Sequence, residues 1–398
     1  MEEKKTWELI SLASIPLVMT LGNSMLIPVL PTIEKELQIS SFQVSMIITV
    51  YSVVAIFLIP IAGYLSDQYG RKRIIIPSLV IAALGGLLAG WVSWQVEDPY
   101  QLIIMGRLLQ GIGAAGAAPI VMPLVGDIFQ NESDVSNGLG VIETSNTFGK
   151  VLSPILGAVL ASIVWYMPFF AFPVFCLISI LMMAFLVKSP AISTKPAKLD
   201  AFIRSIKYIF KNEGKWLYAV FAIGCICMFV LFGVLFYLST MLEEQHNIVG
   251  IKKGIVLAIP LAALCLSAYI TGKGIGQEKK RMKVVTAVGL VILTIANFSV
   301  AFSQDIYVLL TAMFASGLGI GLALPSLDAL VTEGIEKQQR GTITSVYSSM
   351  RFVGVALGPP IFALLMKASH FTLFAVVTLV CIVAVIITML FIKPSEDD

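Results

Sequence analysis

Apolar residues along this chain come in long unbroken blocks, not in the 3.6- or 2-residue alternation of a half-buried helix or strand. Twelve blocks can be read: 8–30, 41–65, 74–94, 99–125, 136–162, 166–188, 215–241, 250–274, 281–302, 304–331, 340–366 and 370–393. About 20 apolar residues cross a ~30 Å hydrocarbon core as a helix. A helix satisfies its own backbone hydrogen bonds in lipid, which an open strand cannot do. The pattern predicts an all-α membrane protein with twelve transmembrane helices. The first block is too long for a signal-peptide core and no small-x-small site follows it, so it reads as a retained helix. The longest polar stretch, 189–214, carries two prolines, several lysines and IRSIKYIFK, a short amphipathic segment expected to lie on the cytoplasmic face. Six blocks flank it on each side, giving an N-terminal bundle 1–188, a linker 189–214 and a C-terminal bundle 215–398.

Composition narrows the class. The chain is 58% hydrophobic and 13% charged, whereas a soluble domain carries about 25% charged residues. Cations then fix the expected orientation. With the N-terminus in the cytoplasm, cytoplasmic segments hold Lys4, Lys5, Arg71, Lys72, Arg73, the set Lys188 to Lys215, the cluster Lys273 to Lys283, Lys337, Arg340 and Lys393. Outside segments hold Lys35, Lys252, Lys253 and Lys367. Both termini are expected in the cytoplasm, with the protein in the cell membrane. The net charge of +3 lies on one membrane face and points to no nucleic-acid partner. Cys176, Cys225, Cys227, Cys265 and Cys381 all fall inside apolar blocks, and His246 and His370 sit at predicted helix ends. Neither set has metal-ligand spacing. No loop gathers acids, histidine or a nucleophile, and there is no G-x4-G-K-[ST] phosphate loop. The expectation is a non-enzyme without cofactor or metal, not driven by ATP.

The halves repeat. GIGAAGAAP (111–119) in the fourth block parallels GLGIGLALP (317–325) in the tenth, and Asp127 and Glu333 each follow their proline by eight residues. GKVLSP (149–154) in the fifth block parallels GVALGP (354–359) in the eleventh. Transporters often carry such duplication, with the substrate site between the halves.

Residues 63–73, GYLSDQYGRKR, break two apolar blocks with a short charged turn. Gly63 and Gly70 suit tight packing and turning, Arg71, Lys72 and Arg73 hold the loop inside, and Asp67 at the membrane boundary needs a partner. This stretch matches G-x-L-x-D-x-x-G-R-[KR]-[KR], the loop signature of the major facilitator superfamily. LGNSMLIPVLP (21–31), IIMGRLLQGIGAA (103–115) and GKVLSPILGA (149–158) resemble further signatures of its twelve-span drug:proton antiporter branch, with Ser153 and Ala158 replacing two glycines of the last. The resemblance spans the whole chain. It implies two six-helix pseudo-repeated halves that work by alternating access. It also implies a cytoplasmic gate in which Asp67 sits near the start of the eleventh helix, around Arg340 to Thr342, with Arg71 and Asp127 extending the network.

Five charges lie well inside the blocks: Arg107, Glu143, Lys150, Asp328 and Arg351. A charge near the bilayer centre costs at least ~2.5–3.5 kcal/mol on insertion scales, so such residues face a cavity or each other. Glu143, Asn146 and Lys150 share one helix face at i, i+3 and i+7. Proton coupling needs a carboxylate whose protonation responds to desolvation and to a nearby cation. Glu143 is the first candidate for proton carrier or substrate counter-charge and Asp328 the second; a structural Glu143–Lys150 pair is the competing reading. Arg107 resembles the family's fourth-span arginine, linked there to proton transfer. Asn23, Asn146, Lys150, Arg351, Phe232 and Phe236 are candidate substrate contacts. Phe229, Phe232, Phe236 and Tyr237 either form an adaptable apolar wall or in part face lipid or the boundary between spans seven and eight. The sequence thus points to a monomeric secondary transporter, exchanging protons for small amphipathic organic compounds or drugs. The alternative is a proton-coupled exporter or symporter of an anionic or zwitterionic metabolite, because three cations face two acids.

Overall fold

The computed structural model describes residues 3–129, 131–188, 214–276, 278–335 and 337–392. The expected amphipathic segment in the linker lies outside them. Among the described residues there is no strand. Helices α1 (Glu3–Ser24) and α2 (Leu30–Glu36) are followed by α3 (Ser41–Tyr69), α4 (Arg71–Gln95), α5 (Tyr100–Ile128), α6 (Glu132–Ala161) and α7 (Met167–Leu186). Then come α8 (Lys215–Glu244), α9 (Gly250–Gly274), α10 (Lys279–Ala301), α11 (Ile306–Gly334), α12 (Lys337–Met366) and α13 (His370–Phe391). Among the described residues, eleven spans are long and apolar enough to cross a membrane, the first running through α1 and α2. The remaining one, α6, has 30 residues. Its polar face, with Glu143, Asn146 and Lys150, keeps it less apolar than the rest.

Local chemistry sets the ends. The first span is not one helix: Pro28 and Pro31 withhold backbone donors, α1 stops at Ser24, and a single 3-10 turn, Ile27–Val29, leads into α2. Ser40 starts α3 with a capping box closed by Gln43, an arrangement worth about 1 kcal/mol. Gly70 separates α3 from α4 at φ 96°, a backbone state that side-chain-bearing residues rarely adopt. Asp305 caps α11 by accepting from Tyr307 and Val308 N–H, and Ser369 caps α13 by accepting from Thr372 N–H.

The chain divides into two compact units, unit 1 from residues 1–202 and 242–256 and unit 2 from residues 203–241 and 257–398. Unit 1 therefore takes in the turn joining α8 to α9. In unit 1, α5 seats on its neighbours through glycines: Gly111 lies against the Tyr51 carbonyl of α3, and Gly113 against the Ser78 carbonyl and Ala82 of α4. Unit 2 repeats this, with Gly317 of α11 against the Pro260 carbonyl of α9 and Gly319 against the Gly289 carbonyl of α10. Gly149 of α6 lies 3.3 Å (as a Cβ) from the Leu17 carbonyl of α1, and Gly354 of α12 meets the Cys225 carbonyl of α8. In lipid there is no hydrophobic drive between helices, so close backbone approach at small residues supplies the packing. The internal repeat is thus a repeat of contacts as well as of letters.

Candidate functional site

In unit 1 the deepest charge is Arg107, with no exposed surface. Its Nε donates to the Ile47 carbonyl (2.7 Å), Nη1 to the Gly22 carbonyl (3.0 Å) and Gln110 Oε1 (2.5 Å), and Nη2 to Asn23 Oδ1 (2.6 Å). The guanidinium also lies 4.7 Å from the Tyr51 ring centroid. Asn23 is the last residue but one of α1 and Gly22 the last but two, where C-terminal carbonyls carry partial negative charge. Arg107 thus holds the broken end of the first span to α3 and α5. Asn23, expected as a substrate contact, accepts that bond and is buried.

The polar face of α6 is assembled as the spacing implied. Asn146 Nδ2 donates to Glu143 Oε1 at 3.3 Å, and Thr20 Oγ1 of α1 donates to Asn146 Oδ1 at 2.6 Å. Glu143 is half-buried while Lys150, two turns further, is buried. A chain of hydrogen bonds therefore runs from the carboxylate to α1.

The loop stretch forms a compact network. Arg71 Nη1 pairs with Asp67 Oδ1 at 3.0 Å, and its Nε pairs with Asp127 at the end of α5. Lys72 Nζ donates to the Ala184 and Val187 carbonyls, 2.9 and 2.6 Å away, at the end of α7. Arg73 is exposed. Gly63 corrects an expectation: a Cβ there would meet nothing within 4 Å, so close packing is not its reason, whereas Gly70 does turn the chain. The side chains at the expected seat of Asp67, Arg340 to Thr342 on α12, and that of Glu333 fall outside those described.

In unit 2, Arg351 Nη1 lies 3.4 Å from Asp328 Oδ1, and its guanidinium is 5.7 Å from the Tyr347 ring centroid. Tyr347 stacks on Phe221 with centroids 5.8 Å apart. Phe229, Phe232, Phe236 and Tyr237 are all buried, which overturns the reading that some face lipid. Phe229 packs edge-on against Phe362, and Tyr237 edge-on against Phe374 while it shares a hydrogen bond with His370 Nδ1. Among the described residues no three His, Cys, Asp or Glu gather as a metal site.

One cluster was not read from the sequence. Glu243, near the end of α8, accepts from Lys253 of α9 at 2.5 Å and from Lys35 of α2 at 2.8 Å. The sequence reading places Lys35 and Lys253 in outside segments and gives Glu243 no role. The only signal was an acid and a lysine on either side of one short turn.

Comparison with known proteins gives a consistent picture. A family model described as Major Facilitator Superfamily matches residues 12–359 and 278–398. The chain is 55% identical over 393 residues to the bacillibactin exporter of Bacillus subtilis (strain 168), covering 98% of each chain. It is 25% identical over 402 residues to multidrug resistance protein 2 of the same organism, covering 99% of this chain and 97% of the relative. Among solved structures, a bacterial homolog of the human lysosomal transporter Spinster, inward-facing and unoccupied, superposes with a TM-score of 0.80 at 14% identity over 98% of both chains. That last likeness concerns the fold.

Proposed function

The chain belongs to the Major Facilitator Superfamily, and on that premise we propose that it is a proton-coupled exporter of bacillibactin or of a solute of closely similar chemistry. It is a multi-pass membrane transporter of small molecules with efflux proteins among its relatives. The observation that carries the substrate assignment is 55% identity along 98% of both chains to a bacillibactin exporter, against 25% to a multidrug protein.

The proposed division of labour follows the geometry. Glu143 carries the proton: it is a half-buried carboxylate of α6, and its hydrogen-bonded link through Asn146 to Thr20 gives α1 a means of sensing its charge. Lys150 and Arg351 attract electron-rich groups of the solute, with Asp328 neutralising Arg351 when no solute is bound. Phe232 and Phe236 supply apolar contact area. Asp67, Arg71 and Asp127 act as the cytoplasmic gate, a charge network that forms or breaks with alternating access. The protein works as a monomer in the cell membrane with both termini in the cytoplasm.

A second reading, export of varied amphipathic cations, is favoured by the full-length likeness to multidrug resistance protein 2. Transport into proteoliposomes under an imposed pH gradient separates the two. Bacillibactin and a cationic amphipathic dye are offered side by side, with Glu143→Gln in parallel. The proposal expects bacillibactin to move against the proton gradient, the dye to stay, and the Gln variant to lose gradient-driven movement. Dye transport without bacillibactin transport transfers the assignment to the multidrug reading. Undiminished coupling in the Gln variant removes Glu143 from the proton path.

A further inference from the structure

Each unit contains one of a pair of corresponding turns. Gly113 seats on the Ser78 carbonyl in unit 1, and Gly319 seats on the Gly289 carbonyl in unit 2. Lys72 stands six residues before Ser78, and Lys283 stands six before Gly289. The two lysines make the same kind of contact. Lys72 Nζ donates to the Ala184 and Val187 carbonyls at the end of α7, and Lys283 Nζ donates to the Met389 carbonyl near the end of α13 at 3.0 Å. The α3–α4 turn and the α9–α10 turn are therefore counterparts.

Their charges are balanced differently. In unit 1, Arg71 pairs with two acids, Asp67 and Asp127. In unit 2 the position of Asp67, eleven residues before the seat, is taken by Glu278. Around it stand Lys273, Lys279, Lys280, Arg281 and Lys283. Among the described residues neither Glu278 nor Lys273, Lys280 or Arg281 forms an ion pair, and all four are exposed. Three of the cations open α10, whose first turn holds no acid, and the Glu278 side chain makes no cap. Cations at that end oppose the helix dipole. The turn carries more positive charge than its own acid can offset.

Apolar faces adjoin these cations. Leu266, Tyr269 and Ile270 lie seven, four and three residues before Lys273 on α9, and all three are exposed. Val284 and Val288, also exposed, follow Lys280 at i+4 and i+8 and Arg281 at i+3 and i+7 on α10. Such spacings share a helix face, and both helices are spans, so these faces meet hydrocarbon. Lys273 Nζ lies 4.4 Å from the Tyr269 ring centroid, the posture of a lysine that lays its stem on apolar surface and keeps its head at the boundary. A complementary molecule has an anionic head and apolar tails. We infer that Lys273, Lys280 and Arg281 hold an anionic phospholipid, with its phosphate among the three cations and its acyl chains along the exposed faces of α9 and α10. The unit 1 turn, where Arg71 already has its acids, holds none. Each cation near an anionic lipid surface contributes about fivefold in affinity, so loss of two weakens the site about 25-fold.

The test uses the full chain in detergent micelles, titrated with an equimolar mixture of phosphatidylglycerol and phosphatidylcholine and read by native mass spectrometry. We expect the parent to retain phosphatidylglycerol in preference to phosphatidylcholine. Lys280→Gln/Arg281→Gln weakens that retention about 25-fold, and each single replacement about fivefold. Lys252→Gln/Lys367→Gln removes two exposed cations elsewhere and leaves it unchanged. Soluble glycerol phosphate, a head without tails, does not displace the lipid. Undiminished retention in the Lys280→Gln/Arg281→Gln variant overturns the site. So does an equal loss in the Lys252→Gln/Lys367→Gln control, which means attraction by net charge alone. Displacement by glycerol phosphate overturns the lipid and makes free phosphate the ligand. If the double variant does not fold, the single replacements decide by the same criteria. Because no transport is measured, failure here leaves the export proposal standing, and failure of that proposal leaves the lipid site standing.

Discussion

Replacing Arg107 by lysine keeps a positive charge and changes the geometry of donation. The guanidinium reaches four acceptors from three nitrogens, on α1, α3 and α5. Lysine presents three donors from a single point and has no planar fork. It can satisfy at most three of the four acceptors, and the Ile47 carbonyl, bonded through Nε, lies on a separate side of the fork. One to two hydrogen bonds are therefore lost. Within membrane proteins each such bond averages about 0.6 kcal/mol and reaches about 1.7, so Arg107→Lys should cost about 1–3 kcal/mol. Reversible unfolding by SDS titration in mixed micelles measures this directly. If Arg107 acts as a geometric clamp on the end of α1, stability falls and transport falls with it. An unfolding free energy within about 0.5 kcal/mol of the parent, the scatter of an innocuous surface change, would refute the clamp. Lost transport at unchanged stability would instead assign Arg107 to the proton path that the family resemblance implied.

Two shorter predictions concern packing. Gly111→Ala places a Cβ 2.5 Å from the Tyr51 carbonyl, while Gly126→Ala on the same helix meets nothing within 4 Å; the first should lower folded yield and melting temperature in detergent and the second should leave both unchanged. Lys72→Met removes both hydrogen bonds to the end of α7, and the same per-bond scale gives a loss of about 1–3 kcal/mol, readable by SDS titration, with no loss of the Arg71–Asp67 pair.

The architecture was legible because lipid leaves the chain few options. Every backbone donor must be satisfied within a helix, so block lengths translate almost directly into spans, and α13 starts at His370 as the block does. Polar spacing on one helix was also legible: Glu143 and Asn146 meet because i and i+3 share a face. What could not be read was partnership across helices. Lys253 looks like a loop cation, since it stands three residues into a block; its burial depends on an acid ten positions back and a turn between them. Asn23 looks like a free polar side chain in a span, since nothing local reveals that an arginine from α5 arrives at its Oδ1. The break in the first span was hinted at by Pro28 and Pro31, yet the block counted as one helix because hydropathy does not register a missing N–H. Gly63 misled because a glycine beside a turn suits close packing, and this one has open space around it.

The glycine seats also constrain how this chain can change length. A helix advances about 100° around its axis per residue. One residue inserted between Gly106 and Gly113 of α5 would leave Gly106 facing Gly85 and Ala89 while swinging the Gly113 position a quarter-turn away from Ser78. A side chain would then arrive where only a hydrogen atom fits. The same holds between Gly317 and Gly321 of α11, whose seats lie on Pro260 and Leu264. Insertions and deletions are therefore barred from the middles of these helices and confined to the turns, while substitutions on the lipid-facing sides remain free.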